Sequence, residues 1–215
     1  MKRQKFFLTL IFVSLIFNIY GQKSTNTFFS PTKIGIQFSQ GNENNFLFDD
    51  PDYLYITNIL KGQLFFFLKK TKSFEISLIV QPQIQYIQHQ LHNKYFVKSD
   101  EPNYLEKRQR FTKLKNLSIT AIEFAIEAKK QLHKNISFFF QASLGFGYID
   151  TETERLAKGF TFLENGLLGL DFKLTPKFSI QSFGGVGHVS NFNLLSPNNG
   201  YTIFSAGVGL QYSLK

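Results

Sequence analysis

Every second residue from Phe74 to Tyr86 is apolar: Phe74, Ile76, Leu78, Val80, Pro82, Ile84 and Tyr86. Between them stand Glu75, Ser77, Gln81, Gln83 and Gln85. A repeat of two belongs to a β-strand, whose successive side chains point to opposite faces. The pattern returns twice more. Ile136, Phe138, Phe140, Ala142, Leu144, Phe146 and Tyr148 alternate with Ser137, Gln141, Ser143, Gly145 and Gly147, with Phe139 the exception. Phe204, Ala206, Val208, Leu210, Tyr212 and Leu214 alternate with Ser205, Gly207, Gly209, Gln211 and Ser213. The 27 Phe and 9 Tyr belong to the same picture, because aromatic side chains suit one oily face of a pleated sheet and suit a helical protein poorly.

The spacing predicts eight strands, over 33–40, 54–68, 73–88, 115–131, 136–149, 159–174, 178–191 and 202–214. Three connections are short and basic (69–72, 132–135 and 175–177), and four are long and polar (41–53, 89–114, 150–158 and 192–201). Short and long alternate strictly. That asymmetry is the mark of an all-β, eight-stranded, antiparallel up-and-down transmembrane barrel, with tight turns on the periplasmic side and loops outside. Most of the predicted strands exceed the roughly 9–11 residues that a tilted strand needs to cross a bilayer. A soluble exported sandwich or lipocalin-like barrel would instead carry a richly charged outer face. Here the polar face is mostly Ser, Gln and Gly, and the charges gather in loops and turns. The interior is expected to be small and polar, filled by side chains.

The first residues fit export. A basic start (Lys2, Arg3, Lys5) precedes an apolar run from Phe6 to Phe17, and Gly21 follows before the sequence turns polar. This is the layout of a signal peptide over 1–21, leaving a barrel domain over 22–215 destined for the bacterial outer membrane. No other stretch reaches the ~18 apolar residues of a membrane helix. The chain has no Cys, which excludes disulfides and thiolate metal sites. Its net charge of +9 includes three positive charges and no acid in residues 1–21, leaving +6 on the remainder. Export argues against a nucleic-acid partner, no Gly-rich phosphate loop is present, and no cofactor or metal is expected.

One stretch carries chemistry. GHVSNFNLLSPNNGYT, residues 187–202, runs from the seventh strand into the last long loop. His188 and Ser190, two apart on a strand, share a face and stand about 6.6 Å apart along the backbone. They share parity with Ile180 and Val186, which puts them on the oily, lipid-facing wall, although Phe183 and Val189 break that pattern. If the short turns are periplasmic, the pair lies at the height of the outer leaflet. A polar pair there is costly and therefore suspect of function.

His188-Val189-Ser190-Asn191, followed by Pro197-Asn198-x-Gly200 and a closing strand through Gly207-Val208-Gly209-Leu210-Gln211-Tyr212, resembles the PagL-type lipid A 3-O-deacylases, eight-stranded outer-membrane barrels. The resemblance implies Ser190 as nucleophile, His188 as the base that takes its proton, and Asn191 with amides of the following loop as holders of the oxyanion. Asn198 would help hold the oxyanion or position the substrate. The implied partner is lipid A of lipopolysaccharide within outer-membrane lipid, and the implied reaction is hydrolysis of an ester-linked 3-hydroxyacyl chain. The family's third member, an acid that orients the His, falls on Thr202. A Thr supplies a hydroxyl acceptor but no negative charge for an imidazolium.

Register offers a substitute. Glu164 and His188 are equidistant from Pro176 in the hairpin between the sixth and seventh strands. A regular pairing would oppose them directly, with Cβ atoms about 5 Å apart. Glu164 shares the oily face of its strand with Phe160, Phe162, Leu168, Leu170 and Phe172. It is the candidate acid, unless a bulge turns it inward. Elsewhere, His89 and His92 read as solvated loop residues rather than metal ligands. The basic run Lys107, Arg108, Arg110, Lys113 and Lys115 reads either as a phosphate grip or as a solvated loop. Glu75, Glu123 and Asp171 are expected to pair inside the barrel. Two function classes remain: an outer-membrane esterase acting on lipid A, and a non-catalytic barrel, structural or adhesive through its loops. The sequence leaves the oligomeric state unknown.

Overall fold

The computed structural model describes residues 30–44 and 50–214, so the segment read as a signal peptide lies outside the described residues. The strands are β1 (Lys33–Asn42), β2 (Tyr53–Lys70), β3 (Glu75–Leu91), β4 (Lys115–His133), β5 (Ile136–Ile149), β6 (Gly159–Lys173), β7 (Phe178–Ser190) and β8 (Tyr201–Ser213). Each pairs antiparallel with the next, and β1 pairs with β8 to close the barrel. Closure leaves no sheet edge, which is what a strand-built membrane protein requires. Among the described residues no helix is long and apolar enough to cross a membrane.

Alternation sorts the side chains. On β3 the odd positions from Ser77 to Leu91 are buried in the lumen, while Ile76, Leu78, Val80, Pro82, Ile84 and Tyr86 face outward. Outward apolar residues recur all round the wall, among them Ile36, Phe38, Leu60, Phe124, Phe140, Leu168, Val208 and Leu210. A belt of that extent on a small protein is the surface a bilayer covers.

Two of the tight turns share a device. In Thr71–Phe74 and Thr175–Phe178 the Thr hydroxyl accepts from the amide three residues on, at 2.9 and 3.0 Å, and the Thr amide donates to the Phe carbonyl at 2.8 and 3.2 Å. The hydroxyl thereby satisfies groups the ladder leaves over.

The lumen is polar at mid-height. Glu123, fully buried, accepts from Lys61 Nζ (2.8 Å), Ser143 Oγ (3.0 Å), Asn165 Nδ2 (2.7 Å) and Gln83 Nε2. Lower down, Asp171 takes Lys129 Nζ at 2.9 Å and Ser179 Oγ at 3.2 Å, and Glu75 takes Lys33 Nζ at 3.1 Å. The expectation of a small, polar interior is corrected at the long-loop end. There Tyr53, Tyr55, Ile87, Leu117, Ile119, Ile149, Leu163, Val189, Tyr201 and Ile203 form an apolar plug. Phe139 and Phe183, the residues that broke the outer pattern, fill the lumen with Leu167. The alternating faces hide this because an apolar lumenal residue reads in the sequence as an interruption.

The second long loop is not irregular throughout. It contains α1 (Tyr104–Phe111), whose Phe111 packs with Leu91 and Val97.

Candidate functional site

β7 ends at Ser190 with odd residues buried and even ones half-buried on the outer wall, so His188 and Ser190 share that wall. Across β8 the register pairs His188 with Thr202, and His188 Nδ1 lies 2.9 Å from Thr202 Oγ1. If Nδ1–H donates to the hydroxyl oxygen, Nε2 keeps its lone pair and is the basic nitrogen. The Cε1–Nε2 edge of the ring lies against Gly200, where a Cβ would come within 2.9 Å of both ring atoms. Gly200 also has φ +67°, a left-handed backbone that glycine adopts without penalty. Backbone and side-chain demands therefore coincide at this one position.

Asn191 is fully buried at the start of the loop. Its backbone N–H donates to Asn198 Oδ1 at 2.6 Å, and its Nδ2 to the carbonyls of Leu195 (2.9 Å) and Pro197 (3.3 Å). Asn198 Nδ2 in turn donates to Asn193 Oδ1 at 3.1 Å. Both asparagines thus spend these donors on the shape of the 192–200 loop. Phe192 and Asn193 take left-handed backbone angles there, at φ 53° and 60°.

Glu164 stands directly opposite His188 in the β6–β7 register, half-buried and on the outward parity of β6. Among the described residues no hydrogen bond joins it to the imidazole, whose Nδ1 is already given to Thr202. The ring thus has a hydroxyl on the β8 side and a carboxylate on the β6 side. Ser190, paired with Phe162, has its carbonyl held by Thr161 Oγ1 at 2.8 Å. Phe162 leads an aromatic row on the same wall, with ring centroids 4.3 Å from Phe192, 4.8 Å from Phe160 and 5.5 Å from Phe146. From His188 toward the tight turns the paired outward residues are Gly166 and Val186, Leu168 and Gly184, then Leu170 and Ser182. The small residues open a furrow of about 300 Å³ between Leu168, Leu170 and Phe172.

Two other candidates land differently from their sequence reading. His89 is not a solvated loop residue: β3 runs on to Leu91, and His89 is fully buried with Nε2 2.9 Å from Glu154 Oε1. The 150–158 loop folds into the barrel mouth and brings Glu154 to it, a contact that only the three-dimensional path of a loop creates. Three of the five residues of the basic run, Lys107, Arg108 and Arg110, lie on α1 and are engaged by groups of the long loops. Arg108 gives Nε and Nη2 to the Val97 carbonyl at 3.0 and 2.7 Å between the Tyr95 and Tyr104 rings. Arg110 pairs with Glu152 at 2.8 Å and Lys107 with Glu101 at 2.9 Å.

Fold and site define a class first: a small closed barrel with an apolar outer wall and a histidine and serine together on that wall. A family profile described as "Lipid A 3-O-deacylase (PagL)" matches residues 83–211, more than half of the chain. The chain belongs to that family. Among solved structures it is similar to the outer membrane enzyme PagL, at 14% identity and TM-score 0.54 over 84% of this chain and 99% of that one. It is also similar to Neisserial surface protein A, at 8% identity and TM-score 0.44 over 85% and 96%. Ail, the attachment invasion locus protein of Yersinia pestis, follows at 12% identity and TM-score 0.39 over 84% and 94%. At these identities the likeness to PagL speaks to the fold, an outer-membrane barrel. No curated protein matches the chain.

Proposed function

We propose that this protein is an outer-membrane esterase that removes an ester-linked 3-hydroxyacyl chain from lipid A at the outer leaflet. Membership of the lipid A 3-O-deacylase family supports a deacylase in general. What carries the finer reading is a histidine held through Nδ1 by Thr202, on the outer wall and two residues from Ser190. A serine hydroxyl is a weak nucleophile until an adjacent base accepts its proton. In this reading Nε2 of His188 takes the Ser190 proton as Oγ attacks the ester carbonyl, then returns it to the departing sugar oxygen. Water repeats the sequence to free the acyl chain. Such serine–base contacts often tighten only with substrate bound.

Thr202 orients the ring, and Glu164, across the hairpin, supplies the negative charge that favours the imidazolium. Asn191 and Asn198 hold the 192–200 loop in shape beside the base, where a developing oxyanion needs preorganised donors. The furrow below His188 receives the acyl chain from within the bilayer.

The test is mass spectrometry of lipid A from outer membranes that contain the wild-type chain, Ser190→Ala, or neither. Loss of one 3-hydroxyacyl group in the wild-type sample alone supports the reading. Identical lipid A in all three samples returns the protein to a non-catalytic barrel, structural or adhesive through its loops.

A further inference from the structure

The site is on the outside of the wall, yet the backbone that shapes it is held from inside the lumen. Residues 153–157 lie buried in the barrel mouth although they belong to a loop and include Glu154 and Arg155. Thr153 folds the turn on itself: its Oγ1 accepts from Leu156 N at 3.0 Å and Arg155 N at 3.3 Å, and its amide donates to Leu156 O at 2.9 Å. Two ties anchor the turn, one to the lumen and one to the first long loop. Glu154 meets His89 at 2.9 Å, and Arg155 Nη2 donates to Asp50 at 2.6 Å above the Tyr53 ring.

From that anchorage the turn grips the loop after β7. The Arg155 carbonyl accepts from Asn199 N at 2.7 Å and Gly200 N at 3.3 Å, Ala157 N donates to Pro197 O at 3.0 Å, and Leu156 bridges to Asn198. Tyr201 OH donates to Thr153 Oγ1 at 2.6 Å. Tyr201 and Thr202 are successive residues of one strand, so they face opposite sides of the wall. The first is tied to Thr153 inside; the second holds His188 outside.

We propose that the buried Thr153–Leu156 turn is a positioning element for the outer-wall site, with Thr153 as its key residue. It fixes the height of β8 so that Thr202 and Gly200 clamp the His188 ring. This rests on the reading of His188 as the catalytic base, and displacements near 1 Å at such a base cost about 100-fold in rate.

The experiment compares wild type, Thr153→Val and Thr153→Ser as full-length folded barrels, verified by heat-modifiable electrophoretic mobility. Two readouts are taken: release of 3-hydroxy fatty acid from lipid A, and the ¹⁵N signals of the His188 ring in micelles, assigned with His188→Gln. Thr153→Val is expected to lower kcat roughly ten- to hundred-fold with KM within about twofold. It should also move the His188 ring signals toward those of a free, tautomer-averaged imidazole, while Thr153→Ser keeps both near wild type. Unchanged His188 signals in folded Thr153→Val overturn the proposal, whether or not the wild type proves active. An inactive wild type with His188 signals that still depend on Thr153 overturns the deacylase reading and leaves the coupling standing.

Discussion

His188 donates or accepts through Nδ1 at 2.9 Å from Thr202 Oγ1, while Glu164 stands opposite it on the other neighbouring strand. In the proposed mechanism, orientation and charge, which one carboxylate can supply together, are divided between two residues on either side of the ring. A double-mutant cycle separates them. Thr202→Val is expected to cost about tenfold or more in kcat through loss of orientation. Glu164→Gln is expected to cost a similar amount through loss of charge. Thr202→Glu places a carboxylate against Nδ1, so Glu164→Gln in that background should cost little. A full cost of Glu164→Gln in the presence of Glu at 202 would exclude Glu164 as a source of charge.

Gly200→Ala meets two obstacles at once. A non-glycine residue at φ +67° costs roughly 1–2 kcal/mol, and the new methyl would stand within 2.9 Å of the His188 ring. Ring displacement should reduce kcat by far more than the folding penalty implies. Urea unfolding in micelles together with acyl release checks both parts. Normal turnover in Gly200→Ala would show that the ring has room to move without consequence.

The outer wall was legible in the sequence, because lipid demands an uninterrupted apolar face and Phe74–Tyr86 provides it. The hairpin register that opposes Glu164 to His188 was legible too, since the turn at Thr175–Lys177 is tight and β6–β7 contains no bulge. What the sequence concealed lies at the loop end. His89 looked like a loop residue because nothing local announces that a turn 65 residues later will cover it. The Thr202–His188 contact likewise depends on the β7–β8 register, and an irregular ten-residue loop does not fix that register as a tight turn does. Thr153 carries no motif at all. Its weight comes from where the folded loop puts one hydroxyl.

The Lys61–Glu123 pair at mid-lumen is nearly dry, with side-chain exposures of 7% and 0%. Removing one partner strands a charge whose desolvation has already been suffered. Lys61→Met alone is expected to destabilise the barrel by about 3–5 kcal/mol. Lys61→Met with Glu123→Leu should recover most of that loss, because an apolar pair of similar volume carries no unpaired charge. Urea midpoints at fixed lipid composition decide it. A double variant no better than the single would point instead to the Gln83, Ser143 and Asn165 contacts as the dominant contribution.

Asp150 pins the start of the 150–158 turn by accepting from Ser118 N at 2.9 Å and Ser118 Oγ at 2.8 Å. Burial pushes its carboxyl up, but the hydrogen bonds from Ser118 and Thr151, with Lys158 nearby, outweigh that and hold it below the ordinary range. A carboxyl lowered on folding stabilises at pH values above its unfolded pKa of about 4 and loses that contribution as pH falls through the lower folded value. Hydrogen-exchange protection of residues 153–157 should therefore hold at pH 6 and weaken below about pH 4. Asp150→Asn should show reduced protection at pH 6 and little further acid dependence. An acid profile identical in the two proteins would assign the loss to another carboxylate.

The wall between His188 and the furrow yields the sharpest specificity test, because one position there is free to be filled. A Cβ added at Gly166 meets nothing within 4 Å, and Gly166 pairs with Val186, one outward step below Glu164 and His188. The Cβ of Gly166→Leu therefore enters open space, and its isobutyl group projects from the outer wall between His188 and the furrow, on the path proposed for the acyl chain. Folding should be unaffected or slightly favoured, since glycine inside a strand is weakening. Turnover should fall for long acyl chains and persist for short ones, with a shift in relative kcat/KM of about ten- to two-hundred-fold. Synthetic esters of graded chain length provide the measurement. Equal loss at every length would mean that the side chain disturbs His188 or Glu164 directly. Equal retention at every length would place the acyl chain elsewhere, and the aromatic row of Phe146, Phe160, Phe162 and Phe192 is then the next surface to fill or to strip.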